Sequence, residues 1–298
     1  MKLAQFEDAD GLWIGAERGG RWLNYSKAEA LYFLLKRGVP VEPVRTLQSL
    51  IETGEFQVGE IGKVLEWAKE AGFLRQVTLG RTAVLRAPIL RPRKIVALGL
   101  NYVLHAREGS FDVPEEPVIF VKAGSSVIGP GEAIRIPRGL GRMDHEVELA
   151  VVVGRKATEV SKREAFRYVA GYTIVNDITA RSLQTKDIKN RHPWFRSKSF
   201  DTFTPLGPWM VTADEIPRPV HLGLECRVNG TLRQKANTRD LVFNIPTIIE
   251  SVSRYITLEP GDIISTGTPA GIGPVRQGDT VVCRIEKIGE LRNPVRGR

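Results

Sequence analysis

The hydrophobic pattern divides the chain near residue 88. Before that point, apolar positions over Leu12–Ala16 and Trp22–Tyr25 flank a Gly19-Gly20 turn and predict two short strands. Ser26-Lys27-Ala28-Glu29 has the spacing of a capping box, so a helix is expected to open there and to end at Gly38. Two further helical patterns cover about 44–53 and 60–71, the second with an apolar stripe of Ile61, Val64, Leu65 and Ala68. Thr82–Leu85 reads as a strand. Nothing here clusters chemistry. Residues 1–88 are therefore expected to form a small α+β domain that supports folding or dimer contacts. Pro88 to Pro92 reads as a linker.

Beyond the linker, short apolar runs alternate with turns. Strands are expected at Lys94–Leu98, Pro117–Lys122, Met143–Gly154, Ala170–Val175, Leu206–Val211, Ile263–Ile264 and Thr280–Glu286. His221–Val228 and Leu232–Lys235 form a hairpin pattern around Asn229-Gly230. Helical character appears after Tyr102, after a Ser161-Lys162-Arg163-Glu164 cap, over Ile178–Ile188 and over Ile245–Tyr255. The tail to Arg298 is expected to fray. This pattern predicts a mixed, β-rich α/β domain over 94–290, closed as a roll or sandwich.

Candidate chemistry begins in the Met143–Gly154 run. Strand alternation puts Glu146 and Glu148 on one face. Like charges side by side destabilise a strand unless they meet solvent or a cation between them. Spacing alone leaves both readings open. His145 alternates away and is expected to be a packed neighbour. His105 and Glu108 are one helical turn apart, which suits a general base with its orienting carboxylate and equally suits a surface ion pair. Asp177 closes a strand, and Arg181 and Gln184 share a helix face just after it. The loop from Asn190 to Thr204 carries His192, Trp194, Arg196 and Lys198. Ser265 to Gly273 is a glycine-rich turn able to present backbone N–H groups to an anion, but it is neither a dinucleotide fingerprint nor a phosphate loop.

Composition excludes several classes. The chain has 298 residues, 42% hydrophobic and 26% charged, as in ordinary globular proteins. It carries no apolar run long enough to span a membrane and no signal-peptide core, so a cytoplasmic location is expected. A net charge of +9 raises nucleic-acid binding, but the basic residues are dispersed and no binding motif accompanies them. A non-enzymatic binding protein would leave the carboxylates, the lysine and the His–Glu pair unexplained. Cys226 and Cys283 fall on the apolar phase of strands and read as reduced core residues.

Taken together, the motifs resemble those of the fumarylacetoacetate hydrolase family, over about 94–286. The resemblance rests on Gly99-Leu100-Asn101-Tyr102 with His105 and Glu108, then Asp144-His145-Glu146-Val147-Glu148-Leu149. Asn176-Asp177 with Arg181 and Gln184 follows, then Lys198-Ser199-Phe200-Asp201 with Gly207-Pro208. Asn229-Gly230 with Gln234 and Thr238, and Leu258-Glu259-Pro260-Gly261-Asp262 running to Thr266-Gly267-Thr268-Pro269, complete the order. The N-terminal unit resembles the leading domain of some members. The resemblance implies that Glu146, Glu148 and Asp177 hold a divalent cation, Mg²⁺ above all, with Mn²⁺ or Ca²⁺ as alternatives. It implies that His105 and Glu108 activate water and that Lys198 contacts substrate and developing negative charge. It places Asn101, Tyr102, Arg181, Gln184 and Thr268 at the substrate and the Thr266-Gly267 backbone at an oxyanion. Some members have a fourth acidic ligand near the place of Asn101. The implied activity is hydrolysis of a C–C bond in a β-diketo acid of the acylpyruvate type. Isomerisation or decarboxylation of a 2-oxo or 2-hydroxy-diene diacid uses the same ligands. A small anionic substrate and a homodimer are implied as partners.

Overall fold

The computed structural model describes residues 1–80 and 82–297. The strand Val147–Val153 lies deep in its largest sheet. Every residue of that strand is buried, because both faces are covered. Val147, Leu149, Val151 and Val153 face a core shared with Tyr172, Ile174, Cys226, Ile248 and Cys283. Ala150 and Val152 face a second core, shared with Leu3, Ile14, Leu50, Ile61 and Leu65. Period-2 alternation thus feeds one strand into two cores, which is why the sequence reads as an uninterrupted apolar run.

The large sheet runs in the order Arg21–Asn24, Gly11–Arg18, Lys2–Asp8, Thr204–Thr212, Val169–Asn176, Val147–Val153, Ile263–Ser265, Ile95–Gly99, Val118–Lys122. A five-stranded sheet is built from Ile134–Ile136, Gly223–Val228, Thr231–Asn237, Thr280–Ile285 and Gly289–Gly297, and a three-stranded one joins Met143–His145, Thr179–Ala180 and Gly273–Pro274. The fold is mixed α/β and sheet-rich, with no closed barrel among the described residues.

The sequence pattern misses the strand Lys2–Asp8, which pairs with Gly11–Arg18 on one side and, through Lys2 and Leu3, with Val211 and Met210 on the other. The large sheet therefore continues from the N-terminal residues into the later ones. Ile89, in the stretch expected as a linker, is buried in that shared core, as is Ala87 just before it.

Several local expectations need correction. The helix expected at Ser26 spans Tyr25–Arg37 and is capped by Asn24, whose side chain accepts from the Lys27 N–H. Ser26 Oγ instead accepts from the Ile14 N–H, and Glu29 accepts from the Tyr25 hydroxyl at 2.6 Å. The Ser161 segment leads only to a 3-10 turn over Ala165–Tyr168 with no side-chain cap. The tail does not fray through Gly297: Gly289–Gly297 pairs antiparallel with Thr280–Ile285 and parallel with Ile134–Ile136. Arg298 lies outside the described residues. The loop Asn190–Thr204 contains a helical turn, Phe195–Lys198.

Other expectations hold. Gly38 caps its helix in the left-handed region, and Asn229 and Gly230 both have positive φ, as a tight hairpin turn requires. Cys226 and Cys283 are buried free thiols facing each other across two strands. Among the described residues no helix is long and apolar enough to cross a membrane.

Leu3 is fully buried in the core that Lys2–Asp8 shares with Thr204–Thr212. Leu3→Ala is expected to cost about 2–5 kcal/mol. Urea denaturation should show the loss as a shifted midpoint.

Candidate active site

The run Met143–Gly154 is not one strand. Met143–His145 leaves the large sheet for the three-stranded one, and Glu146 sits at the break. Its N–H donates to Asn176 Oδ1 at 2.9 Å and its carbonyl accepts from the Asp177 N–H at 2.8 Å. These bonds continue the pairing of Val147 with Asn176, so the turn is held and the carboxylate still points to the side where Glu148 emerges. Asp177 arrives from the end of Val169–Asn176. Glu146, Glu148 and Asp177 are all buried and offer oxygen atoms within 4.8 Å of one another. An oxygen-only donor set of three carboxylates fits a hard divalent cation.

Burial of three carboxylates needs compensation. Lys198 Nζ donates to Glu146 Oε2 and to Asp177 Oδ2, each at 2.6 Å. Arg181 donates to Asp144 Oδ2 at 2.8 Å and also to Glu146 and Gln184. Lys122, fully buried, donates to Asp177 Oδ1 at 2.6 Å, to the Phe203 carbonyl at 3.1 Å and to the Lys198 carbonyl. Burial raises the Glu146 carboxyl, but Lys198, Arg181 and His105 outweigh it and hold it well below the usual carboxylate range. Burial pulls Lys198 down, but Asp177 and Glu146 prevail and raise it. Burial lowers Lys122, with Asp177 opposing.

Glu148 has no cation of its own. Its Oε2 accepts from Ser265 Oγ at 2.5 Å and from the Gly267 N–H at 2.9 Å. Burial, with Asp177 and Glu146 nearby, pushes its carboxyl up to about 8. A cation bound among the three carboxylates would remove that penalty.

A cavity of about 450 Å³ opens above these groups. Glu146, Glu148, Arg181, Gln184, Lys198 and Thr268 line it, and His105 and Glu108 stand in its wall on the six-residue helix Val103–Glu108. His105 Nδ1 lies 3.3 Å from Glu108 Oε2, and the Glu108 carboxylate accepts from the Gly271 N–H. Phe111, Phe120, Ile188, Trp194 and Ile272 form its apolar lining.

Asp177 lies behind this lining, beneath Lys122 and Lys198. Four other expected residues stand elsewhere than the motifs imply. Asn101 is fully buried and bonds Phe243 and Thr266 through both ends of its amide, so it fastens two loops and does not line the cavity. Tyr102 is buried outside the lining; its hydroxyl has no hydrogen-bond partner among the described residues, and burial and then Glu148 push it up. The Gly267 N–H serves Glu148 and the Thr266 N–H serves the Leu149 carbonyl, so neither is free for an oxyanion. Gly267 has φ +96°, and an added Cβ would meet Asn101 Cβ at 2.8 Å. His145 bonds Gln234 through Nδ1, and His192 lies at the surface near Asp187.

Sequence reasoning missed Lys122, Arg142 and the role of Asp144, whose buried carboxylate joins Arg142 to Arg181. A lysine closing the otherwise apolar run Val118–Lys122 was the available signal.

Fold and site together define a carboxylate-rich enzyme centre of known type. Residues 94–296 match the family model for the fumarylacetoacetate hydrolase C-terminal domain. The chain belongs to the fumarylacetoacetate hydrolase family. It is 39% identical over 307 residues to the mitochondrial oxaloacetate tautomerase of Xenopus laevis, covering 99% of this chain and 90% of that one. An uncharacterised protein of Pyrococcus horikoshii is 52% identical over 203 residues, 68% of this chain and 87% of the relative. A maleylpyruvate hydrolase from Sphingobium sp. SYK-6, solved with manganese(II) and pyruvate, superposes with TM-score 0.77 at 33% identity. That match covers 100% of this chain and 99% of the other.

Two outcomes follow from the electrostatics. Without a cation, folded Glu148 keeps its proton to higher pH than it does unfolded. The folded state then binds more protons, so stability falls as pH rises from the ordinary carboxylate range through about pH 8. Urea midpoints measured in EDTA should show that fall, and Glu148→Gln or an added divalent cation should flatten it. Lys122→Met leaves Asp177 short of a buried partner, and the metal-free protein should lose about 3–5 kcal/mol in the same assay.

Proposed function

We propose that the protein interconverts the keto and enol forms of a 2-oxo acid. The observation that carries this reading is the division of labour among donors. His105 stands in the cavity wall as a base held by Glu108, while the Gly267 N–H that could have served a tetrahedral oxyanion is committed to Glu148. Proton transfer at carbon needs the base and a means of holding negative charge on the 2-oxo oxygen. It needs no second oxyanion pocket.

Glu146, Glu148 and Asp177 would hold a divalent cation, with Mg²⁺ the first expectation. Bound there, the cation supplies Lewis-acid stabilisation of negative charge on the substrate's carboxylate and 2-oxo oxygens. His105 Nε2 takes the proton from the adjacent carbon, and Glu108 at Nδ1 orients the ring and steadies its charge. The proton returns to carbon or to oxygen, giving either tautomer. Lys198, pinned by two carboxylates, keeps positive charge beside the 2-oxo oxygen. Phe120 and Trp194 restrict water on the opposite wall. The 39% identity to an oxaloacetate tautomerase along nearly the whole chain supports this reading.

A second reading is hydrolysis of a C–C bond in an acylpyruvate-type diketo acid. The same His105–Glu108 pair favours it, since it could deprotonate a water, and the similarity to a maleylpyruvate hydrolase supports it.

The two readings separate by NMR in D₂O. Deuterium should enter the carbon next to the 2-oxo group of a simple 2-oxo acid at a rate that EDTA abolishes. His105→Ala should slow that exchange by about 10²–10⁴-fold. Exchange at the full rate in Glu148→Gln would overturn the proposal, and acylpyruvate cleavage without such exchange would favour the second reading.

A further inference from the structure

We infer that Arg142 is the residue that binds a second carboxylate on the substrate and so sets a preference for diacids over the matching monoacids. This rests on the reading of the cavity as a 2-oxo acid site. Arg142, Arg181 and Lys198 all line that cavity. Lys198 is shared between Glu146 and Asp177, and Arg181 among Asp144, Glu146 and Gln184. Arg142 spends only Nε, at 2.6 Å from Asp144 Oδ1. Its two terminal nitrogens have no partner among the described residues, and its side chain is 49% exposed.

The guanidinium is held before any ligand arrives. Asp144, its anchor, is fully buried and is fixed from the other side by Arg181. The Arg142 N–H donates to Ser182 Oγ at 2.9 Å, tying its backbone to the start of the helix Arg181–Lys189. Gly141 lies against the same serine, since a Cβ there would meet Ser182 Oγ at 2.5 Å. An arginine fixed through Nε presents its other edge, two parallel N–H donors, to a carboxylate.

Charge and position agree. Asp144, Glu146, Glu148 and Asp177 are matched by Arg142, Arg181, Lys122 and Lys198. His105 and Glu108 lie against each other in the cavity wall. A divalent cation added to the buried set leaves it positive, which favours an anionic substrate. Arg142 shares Asp144 with Arg181, whose guanidinium in turn reaches Glu146, so it lines the cavity one ion pair removed from the clustered carboxylates.

The test compares acids that differ only in the second carboxylate: 2-oxoglutarate against 2-oxopentanoate, and 2-oxoadipate against 2-oxohexanoate. Binding is read by the fluorescence of Trp194, which lines the cavity, with Mg²⁺ present. The wild-type protein should bind at least one diacid about tenfold or more tighter than its partner monoacid. Arg142→Gln should erase that preference while monoacid affinity stays within about twofold, and Arg142→Lys should keep part of it. Equal wild-type binding within both pairs overturns the assignment. Equal weakening of both members in Arg142→Gln also overturns it, because Arg142 would then act through Asp144 and not on the ligand. If none of the four acids binds, the 2-oxo acid reading itself fails.

Discussion

The site depends on keeping carboxylates ionised where water cannot reach them. An unpaired carboxylate in a protein interior costs several kcal/mol. Here each cation that offsets this cost comes from a different element. Lys122 closes the strand Val118–Lys122, Arg181 opens the helix Arg181–Lys189, and Lys198 ends the turn Phe195–Lys198. The electrostatics therefore knit the elements around the end of the central sheet. Lys122 binds a carboxylate and two backbone carbonyls at once, so it fixes where Lys198 stands as well as where Asp177 points. Glu148 is the exception. Only neutral donors meet it, which makes it the carboxylate that gains most from a bound cation.

Around this buried set the supports are neutral hydrogen-bond hubs. Asn101 ties the Thr266 and Phe243 backbones together, and Gln234 joins His145, Val147, Thr268 and Pro269. Such amides cost little to bury when every polar atom is paired. The His–Glu pair is placed differently. His105 and Glu108 stand on a short helix at the solvent edge. A charged floor beneath a wetter wall suits the proposed proton transfer, in which the floor would hold charge and the wall would move it.

Much of this was legible in the sequence, for identifiable reasons. Period-2 runs gave the strands, and the Asn-Gly turn gave its hairpin, because those signals are local. Glu146, Glu148, His105 and Glu108 stood out as charges at meaningful spacings, yet spacing left each with a surface alternative. Only the ordered motifs of a family assembled them with Asp177 and Lys198. What failed was direction. Asn101 and Tyr102 sit beside His105 in the chain, but the side chain of Asn101 turns to the loops behind the cavity. The Gly267 N–H looked available because nothing in the sequence says that Glu148 takes it. Ser26 fits a capping box by spacing, but the strand Arg21–Asn24 runs directly into the helix, so Asn24 caps it and the Ser26 hydroxyl accepts from the Ile14 N–H instead. Lys122 was passed over because a lysine closing a strand normally reaches solvent, whereas here its ammonium is buried against Asp177 and the Lys198 and Phe203 carbonyls.

The N-terminal residues bear on the site through the sheet. Glu148, Ala150 and Val152 share one face of the central strand, and the last two pack into the core that Leu3, Ile14, Leu50 and Ile61 complete. The opposite face packs on the five-stranded sheet and the helix Ile245–Tyr255. The strand is thus clamped on both sides close to the end that carries the carboxylates. A carboxylate at the end of a strand gripped by two cores has little freedom to relax away from its neighbours. That constraint is what holds Glu148 beside Glu146 and Asp177 despite their repulsion. Weakening the N-terminal core would therefore loosen the carboxylate cluster without touching any residue in it.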